Sequence, residues 1–314
     1  MTQLQQAALL RSLHKQGEPL ILVNAWDAAS ARLIEEAGAK AIATTSAGVA
    51  LALGYLDGQK LPWPEHLANV RRIARVVRLP ITTDVESGYA GLPNDPDFGS
   101  ARWTAATSAA LQRNIEELID AGAVGLNLED AIDESTVTPA TAKSALAGHP
   151  GPAAFVRKKS LFPLDQQLAR LRTVRQAGEK KGVPIVINAR TDAYWADSTQ
   201  AEEVRIQETV RRGRAYIQAG ADCIFVPGAT SLSVIQRLVN EIGACVNILA
   251  VKGAPSIAEL ARAGVARVSI GSGLFRGAYA RAQQFAAEVL QHGTYAGFTE
   301  NAIQYQDFNR LYDR

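Results

Sequence analysis

Acidic side chains gather where short apolar runs stop. Asp84 and Glu86 close Leu79-Pro-Ile-Thr-Thr, Glu129-Asp130 close Val124-Gly-Leu-Asn-Leu, and Asp57 sits in a glycine-flanked loop of the same part of the chain. If those runs are neighbouring parallel strands, the carboxylates converge on one rim and offer hard oxygen ligands to a divalent ion such as Mg²⁺ or Mn²⁺. An acid at such a place also caps a following helix, where its charge meets the helix N-terminus. Capping accounts for any one of these acids more readily than for the whole set. Asp84 and Glu86 stand two apart in what reads as an extended segment, so both are expected to point the same way. One would bind metal directly and the other through ordered water.

Two further strand ends complete a pocket. Thr44-Thr45-Ser46-Ala47-Gly48 offers hydroxyls and exposed backbone N–H groups to a carboxylate. Asn188-Ala-Arg190-Thr-Asp192 offers a fixed guanidinium fork to a second carboxylate or a phosphonate. Together they describe a site for a small dianionic oxo acid chelated to a divalent cation.

The elements that must carry these residues alternate. Strand-like runs fall at residues 20–24, 40–45, 80–84, 123–128, 184–189, 222–226, 245–250 and 266–270, separated by stretches of helical periodicity such as Ala29, Leu33 and Ala37. Eight runs are the number that a (β/α)₈ barrel requires. Four of them are introduced by one small punctuation: Glu36-Ala-Gly-Ala, Asp120-Ala-Gly-Ala, Gln218-Ala-Gly-Ala and Ala263-Gly-Val-Ala. Glycine there ends a helix and lets the chain turn into the next strand. A doubly wound open sheet alternates in the same way, but no run reads as a polar edge strand, and one α/β domain uses nearly the whole chain. The expected organisation is a single domain over 1–314, with a barrel core at about 20–275. Residues of about 276–314 form extra C-terminal helices suited to packing on a partner subunit, which points to a homo-oligomer. The connection from Asp130 to Pro150 is the best candidate for a lid, and holds Glu134 and His149.

Composition narrows the partners. With 33 basic and 31 acidic residues the net charge is +2, too small for a broad field toward nucleic acid. The densest basic run, Arg71, Arg72, Arg75 and Arg78, follows the outer face of a helix. No segment approaches the length of a membrane span, and the N-terminal residues lack the apolar run of a signal peptide, so the expected location is cytoplasmic. Cys223 and Cys245 lie within apolar runs and are expected to be packing residues. His14, His66, His149 and His292 show no metal-ligand spacing and are expected mostly to face solvent. Gly271-Ser-Gly273 follows the last strand, where barrels often bind phosphate, but a tight turn is the better reading because no basic residue follows until Arg276.

The stretches Asn24-Ala-Trp-Asp-Ala-Ala-Ser-Ala-Arg, Ala41-Ile-Ala-Thr-Thr-Ser-Ala-Gly-Val-Ala, Leu53-Gly-Tyr-Leu-Asp-Gly, Thr83-Asp-Val-Glu-Ser-Gly-Tyr, Gly125-Leu-Asn-Leu-Glu-Asp and Ile187-Asn-Ala-Arg-Thr-Asp-Ala, in this order, resemble the isocitrate lyase and phosphoenolpyruvate mutase superfamily. The resemblance implies a modified (β/α)₈ TIM barrel whose eighth helix swaps between subunits, in dimers that pair into tetramers. It also implies Mg²⁺ (or Mn²⁺) and a small 2-oxo or 2-hydroxy carboxylate, acted on at a C–C or C–P bond. Carried over by motif, Asp84 is the direct metal ligand, and Asp57, Glu86 and Glu129 hold the ion's water shell. Thr45, Ser46, Ala47 and Gly48 grip the substrate carboxylate, while Arg190, Asn188 and Asp84 bind the rest of it. Ser46, Asp57, Glu129 and Arg190 are the residues expected to take part in catalysis. The cysteine-containing loop of the isocitrate-type lyases is missing: after strand four this chain reads Asp130-Ala-Ile-Asp-Glu-Ser-Thr-Val. The lysine- and asparagine-containing loop of the mutases and hydrolases is missing too. Decarboxylation of an oxaloacetate-like acid is therefore favoured. A phosphonopyruvate hydrolase or phosphonomutase is the alternative, and a non-catalytic oxo-acid-binding protein the rival of another class.

Overall fold

The computed structural model describes residues 1–90, 103–133, 159–300 and 302–313. All but the first few residues of the expected lid, Glu134 and His149 among them, lie outside the described residues.

Strands β1 (Leu20–Leu22), β2 (Asn24–Ala25), β3 (Ile42–Thr44), β4 (Ile81–Asp84), β5 (Gly125–Glu129), β8 (Val186–Arg190), β9 (Cys223–Val226), β10 (Val246–Leu249) and β11 (Arg267–Ser269) form one sheet, in the order β1-β11-β10-β9-β8-β5-β4-β3-β2. Every pairing in it is parallel. The two ends are one strand interrupted at Val23: β1 pairs with β11 and β2 with β3, so the sheet closes on itself as an eight-strand barrel. The eight expected runs are these eight strands, with ends shifted by a residue or two. A separate antiparallel pair, β6 (Ala131–Asp133) and β7 (Lys159–Leu161), stands at the two ends of segment 134–158.

Helix α1 (Gln3–Ser12) precedes the barrel, and around it run α2 (Ala28–Glu36), α3 (Ser46–Ala52), α4 (Trp63–Val76), α5 (Ala105–Asp120), α6 (Leu164–Lys180), α7 (Glu202–Gln218), α8 (Leu232–Ile242) and α9 (Ile257–Arg262). Alternate strand residues face these helices: Leu126 and Leu128 share an apolar cluster with Leu111, Ile115 and Leu118 of α5. The four Ala-Gly turns behave as expected, Gly38, Gly122, Gly220 and Gly264 having φ of 92°, 110°, 102° and 83°, values that a side chain resists. Arg71, Arg72 and Arg75 are exposed, as their spacing on α4 requires, and Arg78 is exposed just beyond the end of that helix rather than on its outer face.

Helix α1 plugs the base of the barrel. Its N-cap Thr2 and Gln5 form a reciprocal capping box, and Ala7 and Leu10 are completely buried. A Cβ at Gly125 would lie 2.6 Å from Leu10 Cδ2 and 3.0 Å from Thr82 Oγ1, so only glycine lets the plug seat. Arg11 Nε donates to Asp222 Oδ1 at 2.8 Å, while Arg175 and the Ile187 amide donate to Asp222 Oδ2 at 2.7 and 2.8 Å.

After β11 the chain leaves the barrel. In α10 (Gly273–Ala287) only Phe275 is buried. A π-helical turn (Glu288–His292), α11 (Ala296–Thr299) and α12 (Tyr305–Arg310) follow, and Leu290, Tyr295 and Tyr305 are exposed. Between α2, the outer side of β1 and the start of α10 lies an apolar groove of about 720 Å³, lined by Ile21, Val23, Leu33, Ile34, Leu274 and Ala278 among others. Among the described residues no helix is long and apolar enough to cross a membrane.

Candidate active site

A cavity of about 550 Å³ opens at the C-terminal ends of the barrel strands. One half of its wall is acidic and hydroxylic: Thr45, Ser46, Asp57, Asp84, Glu86 and Glu129, with Arg190. The other half is largely apolar, from Trp195, Ala196, Phe225, Pro227 and Leu249.

Asp84 ends β4. Its amide donates to Thr44 Oγ1 at 3.1 Å, Oδ1 accepts the Glu86 amide at 3.0 Å and Oδ2 accepts the Ser46 hydroxyl at 3.3 Å. The chain does not continue extended. Glu86 has φ 51°, so the expectation that Asp84 and Glu86 project together from a strand is corrected: the backbone reverses after Asp84. The three non-glycine residues with left-handed backbone among those described, Gln59, Glu86 and Tyr89, all meet here. Their hydrogen bonds hold the conformation. The Gln59 amide and the Tyr89 hydroxyl donate to Glu86 Oε2 and Oε1 at 2.7 and 3.2 Å, and the Gln59 side chain bridges Ser87 and the Tyr89 amide.

This loop is electrostatically loaded. Burial, followed by the charges of Asp57, Glu129 and Asp84, holds Glu86 well above the ordinary carboxylate range. Burial also raises Asp84, against the opposing pull of Arg190. Arg190 ends β8. Burial works against its charge, yet Asp192 and Glu129 outweigh that and raise its pKa. Asp192 takes Nε and one terminal nitrogen at 2.6 and 2.9 Å, and Glu129 the other at 2.9 Å. Trp195 and Phe225 flank the guanidinium, 5.5 and 5.9 Å from their ring centres. Thr45 is the N-cap of α3 but makes no side-chain hydrogen bond to its first turn. The first-turn amides of that helix belong to Ser46, Ala47 and Gly48, next to Asp84.

Thr45, Ser46, Ala47, Asp57, Asp84, Glu86, Glu129 and Arg190 thus line one cavity, as the sequence suggests. Two expected residues do not line it. Asn188 is completely buried one layer deeper, its amide donating to Asn127 Oδ1 at 2.8 Å. Gly48 faces away, between Thr45, Trp26 and Phe275. Asp130 is likewise a support. It is fully buried and accepts from the Asp192 amide, Tyr216 Oη and Arg212 at 2.9, 2.6 and 3.3 Å, which fixes the turn carrying Asp192. His66 is buried rather than solvent-facing, stacked on Trp63, because its aromatic neighbours Trp63 and Tyr89 cover the back of the acidic loop. Burial lowers its pKa to about 4. Cys223 is buried and Cys245 half-buried, both free, as packing residues. Gly271 is a tight turn whose amide, with that of Ile270, is held by Asn24 Oδ1 at 2.8 and 3.1 Å. Gln59, Trp195 and Phe225 escaped the sequence reading, and Tyr89 entered it only as the end of a motif, with no role. Asp192 likewise entered it as the end of the Asn188 motif with no role, although it stands two past the strand-ending Arg190, as Glu86 stands two past Asp84.

Among the described residues no group of three or more His, Cys, Asp or Glu forms a ready-made metal cage. The donors present suit a hard ion that keeps much of its water and takes one or two direct carboxylates, the habit of Mg²⁺. The repulsion among Asp57, Asp84, Glu86 and Glu129 is what a cation would relieve.

The family model of phosphoenolpyruvate phosphomutase matches residues 10–290. The chain belongs to that family. It thereby joins the wider isocitrate lyase and phosphoenolpyruvate mutase superfamily that its motifs resemble. An uncharacterised protein of Mycobacterium tuberculosis is 30% identical over 305 residues, covering 94% of this chain and 96% of its own length. The 2-methylisocitrate lyase of Salmonella typhimurium is 28% identical over 319 residues, covering 96% and 93%. A crystal structure from Burkholderia cenocepacia J2315, provisionally described as a phosphonomutase, has 35% identity and a TM-score of 0.73, covering 93% of this chain and all of that one. The relatives of this family member thus include names from both C–C and C–P chemistry.

Proposed function

We propose that this protein is a Mg²⁺-dependent carbon–carbon lyase acting on a small 2-oxo or 2-hydroxy di- or tricarboxylate, with decarboxylation of an oxaloacetate-like acid as the simplest case. The observation that carries this is the cavity's charge. Arg190 is the one cationic side chain among its described lining residues, and Asp192 and Glu129 already neutralise it. A phosphonate brings more negative charge than a carboxylate and calls for more cationic donors than Arg190 supplies. The apolar wall of Trp195, Phe225, Pro227 and Leu249 suits carbon next to the reacting centre. C–P cleavage stays the second reading because of the likeness to the Burkholderia phosphonomutase.

When bound at Asp84, the ion would supply positive charge to the substrate oxygen on which bond cleavage leaves an electron pair. Ser46 holds Asp84 Oδ2 and, with the amide of Ala47, receives a substrate carboxylate. Glu86, Asp57 and Glu129 order water around the site. Arg190, fixed in place by Asp192, orients the far carboxylate. Loss of CO₂ from a 3-carboxy-2-oxo acid asks for no acid at the moment of cleavage, which accords with a described wall that offers no cysteine or histidine. Assaying oxaloacetate, 2-methylisocitrate, 2,3-dimethylmalate and phosphonopyruvate with Mg²⁺ tests the reading. Turnover of a C–C substrate is expected, and turnover of phosphonopyruvate alone rejects it. Calorimetry showing oxalate binding with no turnover of any of the four would favour a binding protein.

We further propose a homo-oligomer, a tetramer built as a dimer of dimers, in which α10 of a second copy fills the 720 Å³ groove beside β1. The exposed Tyr279, Leu290 and Tyr295 and the half-exposed Ile21 support it. Light scattering of the full chain and of a chain ending at Ser272 checks it. Equal masses per particle, both those of a monomer, would reject it.

A further inference from the structure

The barrel interior beneath the cavity carries a cation that nothing in the proposed chemistry uses. Arg267 is completely buried, and its side chain enters the barrel from β11. One terminal nitrogen donates to Asn127 Oδ1 at 3.1 Å. Nε and the other terminal nitrogen have no hydrogen-bond partner, and none of the ion pairs among the described residues includes Arg267. A guanidinium stays protonated in a protein interior, so a buried, carboxylate-free one is costly unless a field offsets it.

The geometry supplies that field. Asn127 stands in register with Asp84 on one side and with Asn188 on the other, and its Oδ1 accepts from both Asn188 and Arg267. Glu129 and Arg190 are paired two residues further along the same strands, one interior layer higher. Arg267 thus lies one hydrogen bond below the row that holds Asp84, under a cavity lined by four carboxylates and one neutralised arginine.

We propose that Arg267 is a positioning residue of this site: its buried guanidinium holds Asn127 from below and biases the cavity toward anionic oxo acids at the expense of cation affinity. The inference rests on reading the cavity as a divalent-cation and oxo-acid site. Burial lowers the Arg267 pKa only to about 10, with Cys223 and Asp84 acting in the opposite sense, so the charge persists at neutral pH. A fixed interior cation of this kind repels an incoming metal ion and attracts a dianion, through a medium that screens weakly.

Calorimetry with Mn²⁺ alone, and with oxalate at saturating Mn²⁺, tests it on the full chain. Arg267→Met is expected to bind Mn²⁺ several-fold more tightly and oxalate about tenfold more weakly. Arg267→Lys, which keeps the charge, should restore both to within about threefold. Should Arg267→Met not fold, Asn127→Asp neutralises the guanidinium without removing it and is expected to shift both affinities in the directions given for Arg267→Met. Unchanged affinities in the folded Met or Asp variant, or equal oxalate losses in Met and Lys with Mn²⁺ binding unchanged, would overturn the assignment alone. A wild-type protein that binds neither Mn²⁺ nor oxalate would overturn the site reading and the inference with it.

Discussion

The two ends of the barrel treat charge in opposite ways. At the base, Asp222 receives Arg11, Arg175 and the Ile187 amide; burial works against its charge, but these partners prevail and hold its pKa below the ordinary value. At the mouth, Asp84 and Glu86 crowd with Asp57 and Glu129, and burial and mutual repulsion hold both above it. The base is therefore built for stability, while the mouth keeps its acids in a state that a cation or a substrate would relieve. Strain follows the same division. Left-handed backbone at Gln59, Glu86 and Tyr89 belongs to the mouth, and the base has glycine wherever the chain turns that way.

The largest expected effect of breaking this contrast is at Asp84. Asparagine can keep both hydrogen bonds, to the Glu86 amide and to Ser46, while removing the charge. Asp84→Asn is expected to lower turnover by about 10³-fold or more, yet raise the thermal midpoint of the metal-free protein slightly. Paired kinetics and thermal melts check it; lost activity with a lowered midpoint would make Asp84 a structural residue. Next is the plug. Leu10→Ala empties a fully buried site against Gly125 and should cost about 3 kcal/mol in denaturant unfolding, with the kinetics of the folded enzyme little changed.

The plug also shows what the sequence could tell. Eight strands and their Ala-Gly turns were readable because apolar runs and helix-ending glycines are local signals. The rim acids were readable because each closes such a run. Nothing local said that Leu10 would enter the barrel, since α1 is separated by over a hundred residues from the Gly125 that admits it. The reversal after Asp84 was hidden for a similar reason: Glu86 is held left-handed by Gln59, a loop residue with no pattern of its own. Asn188 was assigned to the substrate because it shares a motif with Arg190. Alternation along β8 does point both inward, but two residues apart they occupy different layers, and only the upper one reaches the cavity.

A smaller effect separates the ends by pH. Asp222→Asn leaves Arg11 and Arg175 short of a carboxylate and should cost about 2 kcal/mol at neutral pH, discounted because the partners are partly exposed. A depressed folded-state pKa means that this contribution is complete above the ordinary aspartate value and is lost as pH falls through the folded-state pKa. Asp84 has the opposite sign: its raised pKa costs stability at neutral pH, and the cost disappears as pH falls through the raised pKa toward the ordinary value. The stability gained by Asp84→Asn should therefore shrink on mild acidification, while the loss in Asp222→Asn stays constant until the pH nears 4. Denaturant midpoints across that range would contradict this if both differences moved together.

The contrast is tested most directly by melting the metal-free wild-type protein, Asp84→Asn and Asp222→Asn across a Mn²⁺ titration. Binding at 100 times the dissociation constant stabilises a protein by about 2.7 kcal/mol. The wild type is expected to rise saturably by several degrees, Asp222→Asn by the same amount from a lower start, and Asp84→Asn not at all. No rise in the wild type, or an equal rise in Asp84→Asn, would contradict a cation site at the mouth.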